Sequence, residues 1–279
     1  MASKVLVLGA SGTVGRPLVR ALVAKGVSVK AASRSGAPIE GAEGVRFDFG
    51  DPATYGPALE VVDGAYLLAP TGTTDVPGRL LPVVEAAAAR GVKIVLQTVM
   101  GADADEANPY RRVERAVEAS GRPFVILRPN WFADNFHTFW KPGVAVGEIA
   151  LPAGDGASSF VDARDIADSA VGALTSDRFD GHAFTLTGPQ ALGYAAAAEV
   201  LSSALGRPVA YRAIDDETFV AALVSGGVPE DYARFLATIF EPVRAGHTAP
   251  TTGDVETLSG HAPRTLADYA RDNAAALSS

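Results

Sequence analysis

The apolar positions of the chain form short runs that alternate with longer stretches of helical periodicity. Six runs bounded by turn residues predict strands: Val5–Leu8, Val27–Ser33, Val45–Phe47, Ala65–Ala69, Val92–Thr98 and Phe124–Leu127. Their near-continuous hydrophobicity is typical of parallel strands covered on both faces. Four stretches between them predict helices: Thr13–Lys25, Pro52–Val61, Pro77–Arg90 and Pro109–Ser120. Gly26, Gly91 and Gly121 directly follow three of these helices, as C-terminal caps do.

This alternation predicts an α/β protein with a doubly wound parallel sheet of the Rossmann type. The pattern loosens after Leu127, where Arg128–Pro152 is rich in aromatic residues, proline and glycine. The later predicted elements are helices at Arg164–Ser176, Tyr194–Leu205, Asp216–Ser225, Glu230–Phe240 and Pro263–Leu277, and strands at Ala183–Thr187 and Val209–Ala213. We therefore expect a nucleotide-binding domain over 1–188, with 128–160 contributing to the substrate cleft. A smaller, mostly helical substrate-binding lobe would follow over 189–279.

The first predicted strand runs directly into a glycine-rich turn. Its spacing is G-x-x-G-x-x-G, and a helical pattern follows. Glycine suits such a turn because a Cβ would keep the backbone away from a pyrophosphate, and the helix start directs N–H groups at that anion. The residues predicted to bind the phosphates are Gly9, Ser11, Gly12, Thr13, Val14 and Gly15.

The end of the second predicted strand lacks the acid that is typical of NAD sites. An Asp or Glu roughly 20 residues after the glycines binds the 2′-hydroxyl of NAD, whereas an arginine accommodates the 2′-phosphate of NADP. Ser33 and Arg34 occupy this position, and no carboxylate occurs between Gly15 and Glu40. The sequence therefore predicts NADP(H) as cofactor.

Composition narrows the class of protein and its partners. The 279 residues have a net charge of −8 and no basic stripe, so we expect a small-molecule substrate and no nucleic acid. The absence of cysteine excludes disulfides and thiolate catalysis. No run is long enough to span a membrane, and Met1–Lys4 leads into a strand too short for a signal peptide. We expect a cytoplasmic monomer or homodimer.

Several segments resemble the NmrA-like group of atypical short-chain dehydrogenases. The matching segments are 9–15, 47–52, 160–168, 186–189 and the stretch from Glu114 through Leu127-Arg128-Pro129 to Asn135. Three later segments, 205–207, 227–232 and 244–246, resemble the branch that contains the ergot-alkaloid (festuclavine dehydrogenase-like) reductases. The resemblance implies a reductase of iminium ions, quinones or conjugated acceptors in secondary metabolism. The group also contains inactive nucleotide-binding regulators.

The cofactor contacts outside the glycine turn are expected at other strand ends. Ala69 and Pro70 end the fourth strand and would border the ribose and phosphates. Thr98 ends the fifth strand, and Pro129 ends the sixth, where the backbone would pass the nicotinamide. The resemblance places Asp48 near the adenine.

Thr98 and Tyr110 are the candidate catalytic residues. Short-chain dehydrogenases use a Ser or Thr after the fifth strand and a Tyr-x-x-x-Lys motif, in which the lysine lowers the pKa of the tyrosine. Here Glu114 replaces the lysine. A carboxylate on the same helix face would raise the phenol pKa above about 10, which makes Tyr110 a poor acid. Glu114 would accept ribose hydroxyls or pair with Arg111 or Arg115 at the surface.

An aromatic segment follows the sixth strand. The predicted substrate-pocket residues are Met100, Tyr110, Trp131, Phe132 and Phe136, and the alternative for the aromatic residues is core packing. Asp103 and Asp134 are expected to be solvated surface acids, and the alternative is that one of them favours a cationic substrate. The four histidines have no metal-binding spacing, so we expect no metal. Two other functions stay open: an NADP(H)-sensing regulator, and a Rossmann-fold epimerase or cyclase.

Overall fold

The architecture is described from a computed structural model, over residues 4–278. In this range the strands are, in chain order, β1 (Lys4–Val7), β2 (Ser28–Ser33), β3 (Glu43–Arg46), β4 (Gly64–Leu68), β5 (Lys93–Gln97), β6 (Phe124–Pro129), β7 (Glu148–Leu151), β8 (Ala157–Ser158), β9 (His182–Leu186), β10 (Leu192–Gly193) and β11 (Ala210–Ala213). Seven of them form one sheet in the order β3-β2-β1-β4-β5-β6-β9, and every pairing in it is parallel. The predicted Rossmann-type sheet is confirmed.

The helices are α1 (Gly15–Ala24), α2 (Tyr55–Leu59), α3 (Val76–Ala89), α4 (Pro109–Ala119), α5 (Lys141–Val146), α6 (Ala163–Thr175), α7 (Tyr194–Leu205), α8 (Asp216–Ser225), α9 (Glu230–Thr238), α10 (Glu241–Arg244), α11 (Asp254–Ser259), α12 (Leu266–Asp272) and α13 (Ala274–Ser278). Local chemistry explains where several of them begin. The side chain of Asp75 caps α3 by accepting a hydrogen bond from the Gly78 N–H, and Asn108 caps α4 through the Tyr110 N–H. None of these helices is both long and apolar enough to cross a membrane.

The helix predicted over Pro52–Val61 is shorter in the structure. A 3₁₀ turn occupies Pro52–Thr54, and α2 ends at Leu59. The buried ammonium of Lys30 ends it, because Nζ donates to the carbonyl oxygens of Pro57 and Glu60. Val61 then adopts a positive φ of 54°, which is incompatible with further helix.

The contacts divide the chain into two units that alternate along the sequence. Unit 1 contains residues 4–129, 163–186 and 253–261, and unit 2 contains 130–162, 187–252 and 262–278. The prediction instead used one boundary at residue 188. Strand β9 and helices α6 and α11 explain the return of the chain to unit 1, because α6 and α11 pack on each other there. Gly172 allows this packing, since a Cβ would lie 2.0 Å from the Leu258 carbonyl oxygen.

Unit 2 has its own hydrophobic core and two small sheets. Strands β7 and β11 pair in parallel, and β8 and β10 pair antiparallel. Of these four strands, only β11 was predicted; the other three occur in short segments without a clear alternating pattern. The core contains Phe136, Trp140, Phe160, Tyr194 and Phe240 with aliphatic residues of α7 and α8. These aromatic rings lie edge to face or tilted, which suits their quadrupoles.

Candidate active site

The strand order of the sheet reverses direction between β1 and β4. From β1 the chain proceeds outward to β2 and β3, and then returns to β4 on the other side of β1. In open α/β sheets, ligands bind outside the carboxyl ends of the strands at such a switch point. The predicted cofactor residues after β1, β2 and β4 all follow strands of this part of unit 1.

The glycine turn after β1 depends on its first and third glycines. Gly9 has φ +62°, a conformation that L-residues with a side chain rarely adopt. Gly15 begins α1, two residues later than predicted, and a Cβ on it would lie 2.0 Å from the Gly9 carbonyl oxygen. The Gly12 N–H closes the turn by donating to that same oxygen at 2.8 Å. The turn is therefore built by backbone contacts that only glycine permits.

This turn presents backbone donors without protein acceptors. No side chain caps α1, whose N-cap residue is Val14. The N–H groups of Ser11, Thr13 and Val14 donate no hydrogen bond to any residue in the described range. Unsatisfied N–H groups and the positive end of the helix dipole together make a site for an anion.

Arg34, directly after β2, is exposed, and its guanidinium has no hydrogen bond or ion pair with any residue of 4–278. The neighbouring Ser33 hydroxyl accepts the Gly36 N–H at 3.1 Å. Glu40, the first acid after the glycine turn, is held elsewhere: Arg20 donates to it at 3.1 Å, and this hydrogen bond lowers the pKa of Glu40. The positive charge of Arg34 is therefore not neutralised by the nearest acid in the sequence.

The other predicted cofactor residues lie in turns after the strands. Asp48 is half-buried, and its Oδ1 accepts the Gly50 N–H at 2.8 Å, so one carboxylate oxygen is used in a local turn. Ala69 and Pro70 directly follow β4 and are half-buried. Pro129 is buried at the end of β6, and its carbonyl oxygen accepts the Met100 N–H at 2.9 Å.

Glu114 is fully buried and does not lie at the surface. Its Oε1 accepts hydrogen bonds from Thr98 Oγ1 at 2.7 Å and from Arg128 Nε at 2.9 Å. Its Oε2 accepts from Arg128 Nη2 at 2.7 Å and from Arg111 Nη1 at 2.9 Å. The expected pair with Arg111 is present, but it is buried. The predicted surface pairing, and the alternative in which Glu114 accepts ribose hydroxyls, are wrong for a carboxylate with 0% exposure.

These contacts keep Glu114 ionised. Burial alone would raise the pKa of this carboxyl. The hydrogen bonds from Arg128, Thr98 and Arg111 outweigh burial and hold the pKa below its ordinary value of 4.5. Since an ionised carboxylate only accepts hydrogen bonds, the single hydroxyl proton of Thr98 is directed at Glu114. Thr98 is 2% exposed, so its side chain is part of this buried network.

Tyr110 lies in the first turn of α4, one helical turn before Glu114. It is half-buried and packs against the unit 1 core. Its backbone N–H is capped by Asn108. The role of its hydroxyl stays a prediction.

The aromatic residues predicted to form a pocket differ in burial. Phe136 has 0% exposure and contacts Trp140 and Phe160, so its predicted place in an open pocket is wrong and the alternative of core packing holds for it. Trp131 and Phe132 are half-buried. The Trp131 ring lies 4.8 Å from that of Phe240, centroid to centroid.

The ion pair between Arg128 Nη1 and Asp103 Oδ2, which lie 2.5 Å apart, was not predicted from the sequence. Asp103 is therefore not simply a solvated acid. An arginine that ends an apolar strand was the available signal, because a buried guanidinium requires partners. The sequence also missed that Asp165, Asp168 and His261 lie together, with His261 Nε2 3.1 Å from Asp168 Oδ2. Such a group is not visible in local spacing.

The parallel sheet and the glycine turn define a Rossmann-like α/β protein. The chain belongs to the NmrA-like family, whose model matches residues 1–270. The family resemblance drawn from the sequence motifs is confirmed.

Named relatives cover nearly the whole chain. It is 34% identical to the NAD(P)H azoreductase of Xenophilus azovorans over 282 residues, 98% of each chain. It is 28% identical to the agroclavine dehydrogenase of Claviceps fusiformis over 281 residues, 96% of each chain. The crystal structure of the Escherichia coli quinone oxidoreductase QOR2 with NADPH superposes with a TM-score of 0.84. The alignment covers 96% of this chain and 99% of that one, and at 24% identity it supports the fold.

Proposed function

We propose that this protein is an NADPH-dependent oxidoreductase that transfers hydride to a hydrophobic, cyclic electrophile such as a quinone, an iminium ion or a conjugated acceptor. The proposal is carried by one observation: within residues 4–278, neither the Ser11, Thr13 and Val14 N–H groups of the glycine turn nor the guanidinium of Arg34 has a partner. The names of the azoreductase, clavine dehydrogenase and quinone oxidoreductase relatives support a reductase. A role in secondary metabolism is part of the proposal.

The residues of unit 1 fit a phosphorylated dinucleotide. The N–H groups of Ser11, Thr13 and Val14 would bind the pyrophosphate. Arg34 would bind the 2′-phosphate, which a carboxylate at this position would repel. Asp48 would lie near the adenine, Ala69 and Pro70 would border the ribose and phosphates, and Thr98 and Pro129 would lie on the nicotinamide side.

Bound NADPH would supply the hydride. The residues at the end of β5 then decide which acceptors are suitable. Because the Thr98 hydroxyl proton is held by Glu114, Thr98 is a poor proton donor to a developing alkoxide. The Tyr-x-x-x-Lys motif is incomplete, since Glu114 stands in place of its lysine. We therefore favour acceptors that take hydride without simultaneous protonation by the protein.

Met100, Tyr110, Trp131 and Phe132 are the proposed substrate contacts. All four side chains are half-buried, so part of each is accessible to a ligand. Three of them are aromatic, which suits a flat ring. Substituting each residue in turn would rank their contributions to substrate binding.

Oxidation of NADPH in the presence of a quinone, an azo dye and an iminium salt tests the proposal. Turnover with at least one acceptor, and a weaker response to NADH, is the expected result. Tight NADPH binding without turnover on any acceptor would instead identify a coenzyme-sensing regulator. Conversion of a substrate without net NADPH oxidation would identify an epimerase or cyclase.

A further inference from the structure

The loop between β5 and α4 carries two of the proposed substrate contacts, Met100 at its start and Tyr110 just after its end. Its first residues form local turns, in which the Ala102 N–H donates to the Val99 carbonyl oxygen at 3.1 Å. Gly101 has φ +79°, so the chain changes direction at this point.

Beyond Thr98, whose N–H donates to the Leu127 carbonyl oxygen at 2.8 Å, two interactions join this loop to β6. The first is the hydrogen bond from the Met100 N–H to the Pro129 carbonyl oxygen at 2.9 Å. The second is the ion pair of Asp103 with Arg128 at 2.5 Å. Both partners on the β6 side are buried, whereas the Asp103 side chain is 48% exposed.

The Arg128 side chain is held in place by contacts that do not involve Asp103. Its Nε and Nη2 atoms bind the two oxygens of Glu114 in a bidentate pair, and its side chain is only 10% exposed. Nη1 therefore points in one direction, and only the Asp103 side chain and the loop must be ordered when the pair forms. A preorganised guanidinium loses less entropy in such a pair than a flexible surface cation does.

We propose that Asp103 is a positioning residue that fixes the β5–α4 loop, and with it Met100, for contact with the hydride acceptor. This inference rests on the proposed function. The predicted phosphate contacts come from the segments after β1, β2 and β4, which contain neither Asp103 nor Arg128, so loss of the ion pair should weaken acceptor binding and leave coenzyme binding nearly unchanged.

The test compares Asp103→Ala with Asp177→Ala. Asp177 is a matched control because it too is an exposed acid (87%) near a buried cation, 4.0 Å from Lys93 Nζ. Lys93 begins β5, at the end of the strand opposite to the loop. The measurements are steady-state kinetics with menadione, a naphthoquinone, as acceptor, the Kd for NADPH by titration calorimetry, and hydrogen exchange of the loop peptide.

For Asp103→Ala we expect a rise of about three- to tenfold in the KM for menadione, because only a fraction of the loop conformations would be competent. We expect kcat and the NADPH Kd to stay within about twofold, as for loss of uniform binding. Loop amides should exchange faster, Asp103→Glu should restore the KM, and Asp177→Ala should match wild type.

Two results would overturn the inference. One is a KM for Asp103→Ala equal to that of Asp177→Ala. The other is a parallel loss of NADPH affinity, kcat and melting temperature, which would indicate a merely structural role. If the wild-type protein binds NADPH but reduces no acceptor, the proposed function is wrong. Hydrogen exchange then tests whether Asp103 fixes the β5–α4 loop, and unchanged exchange of the loop amides in Asp103→Ala would show that it does not.

Discussion

Two parts of the same sheet differ in whether their polar groups have hydrogen-bond partners within the protein. Around β1 and β2, the N–H groups of Ser11, Thr13 and Val14 and the guanidinium of Arg34 have no protein partners in the described chain. Around β5 and β6, both oxygens of Glu114 each accept two hydrogen bonds in a buried network. The first part keeps its binding capacity for a ligand, and the second uses it to hold the protein together.

The largest expected effect is on the stability that the buried Glu114 network provides. Glu114→Ala should lower the free energy of unfolding by about 3–5 kcal/mol, because it leaves buried Arg128 and Arg111 without their shared partner. Denaturant titration measures this loss. The control is Glu118→Ala, on the same helix and partly exposed, which should cost about 1 kcal/mol or less. Equal losses in the two variants would mean that the buried network contributes nothing special.

The second largest expected effect is on coenzyme binding by the groups around β1 and β2. Arg34→Ala should weaken NADPH binding about 10- to 100-fold, because charge-assisted hydrogen bonds of about 1.5–3 kcal/mol are lost. The affinity for NADH, measured in the same calorimeter, should not change. Arg46→Ala, which removes an exposed arginine paired with Asp51, is the control and should match wild type with both coenzymes. An unchanged NADPH affinity in Arg34→Ala would remove the main support for a 2′-phosphate site.

A third contrast appears with pH. The folded-state pKa of Glu114 is lowered from 4.5, so its ionised form contributes stability that is fully present above pH 4.5 and is lost as the pH falls through the folded pKa. The difference in unfolding free energy between wild type and Glu114→Gln should therefore be constant near neutrality and shrink below pH 4.5. Denaturant titrations at a series of acidic pH values measure it. A difference that grows in acid would contradict the assigned direction.

The smallest expected effect is that of Tyr110→Phe. If the acceptor takes hydride without a protein acid, the loss of this hydroxyl should lower kcat by less than about tenfold, since general acid catalysis typically contributes 10²–10⁴-fold. Steady-state kinetics with the best acceptor give the answer, and circular dichroism checks the fold. A fall of about three orders of magnitude with an intact fold would make Tyr110 the proton donor.

Sequence alone predicted the sheet well because its signals are local. Apolar runs such as Val5–Leu8 end at turn residues, and the glycine turn follows one of them directly. The short elements β7, β8, β10 and α11 escaped prediction since tertiary packing stabilises segments too short to show a period.

The side chains of the site were harder to predict, for a related reason. The burial of Glu114 depends on Arg128, which is 14 residues away in another element. Its own neighbours in the sequence, Arg111 and Arg115, suggested a surface pair. Likewise, composition identified an aromatic segment but not the direction of each ring, so Phe136 was assigned to a pocket although it lies in the core.

Arg34 directly follows β2, is exposed, and forms no hydrogen bond or ion pair with residues 4–278. If Arg34 binds the 2′-phosphate as proposed, exchanging it for an acid should weaken NADPH binding and leave the folding of the chain almost untouched. Under the proposed function, coenzyme affinity would then be adjustable at one exposed position without a matching cost in stability.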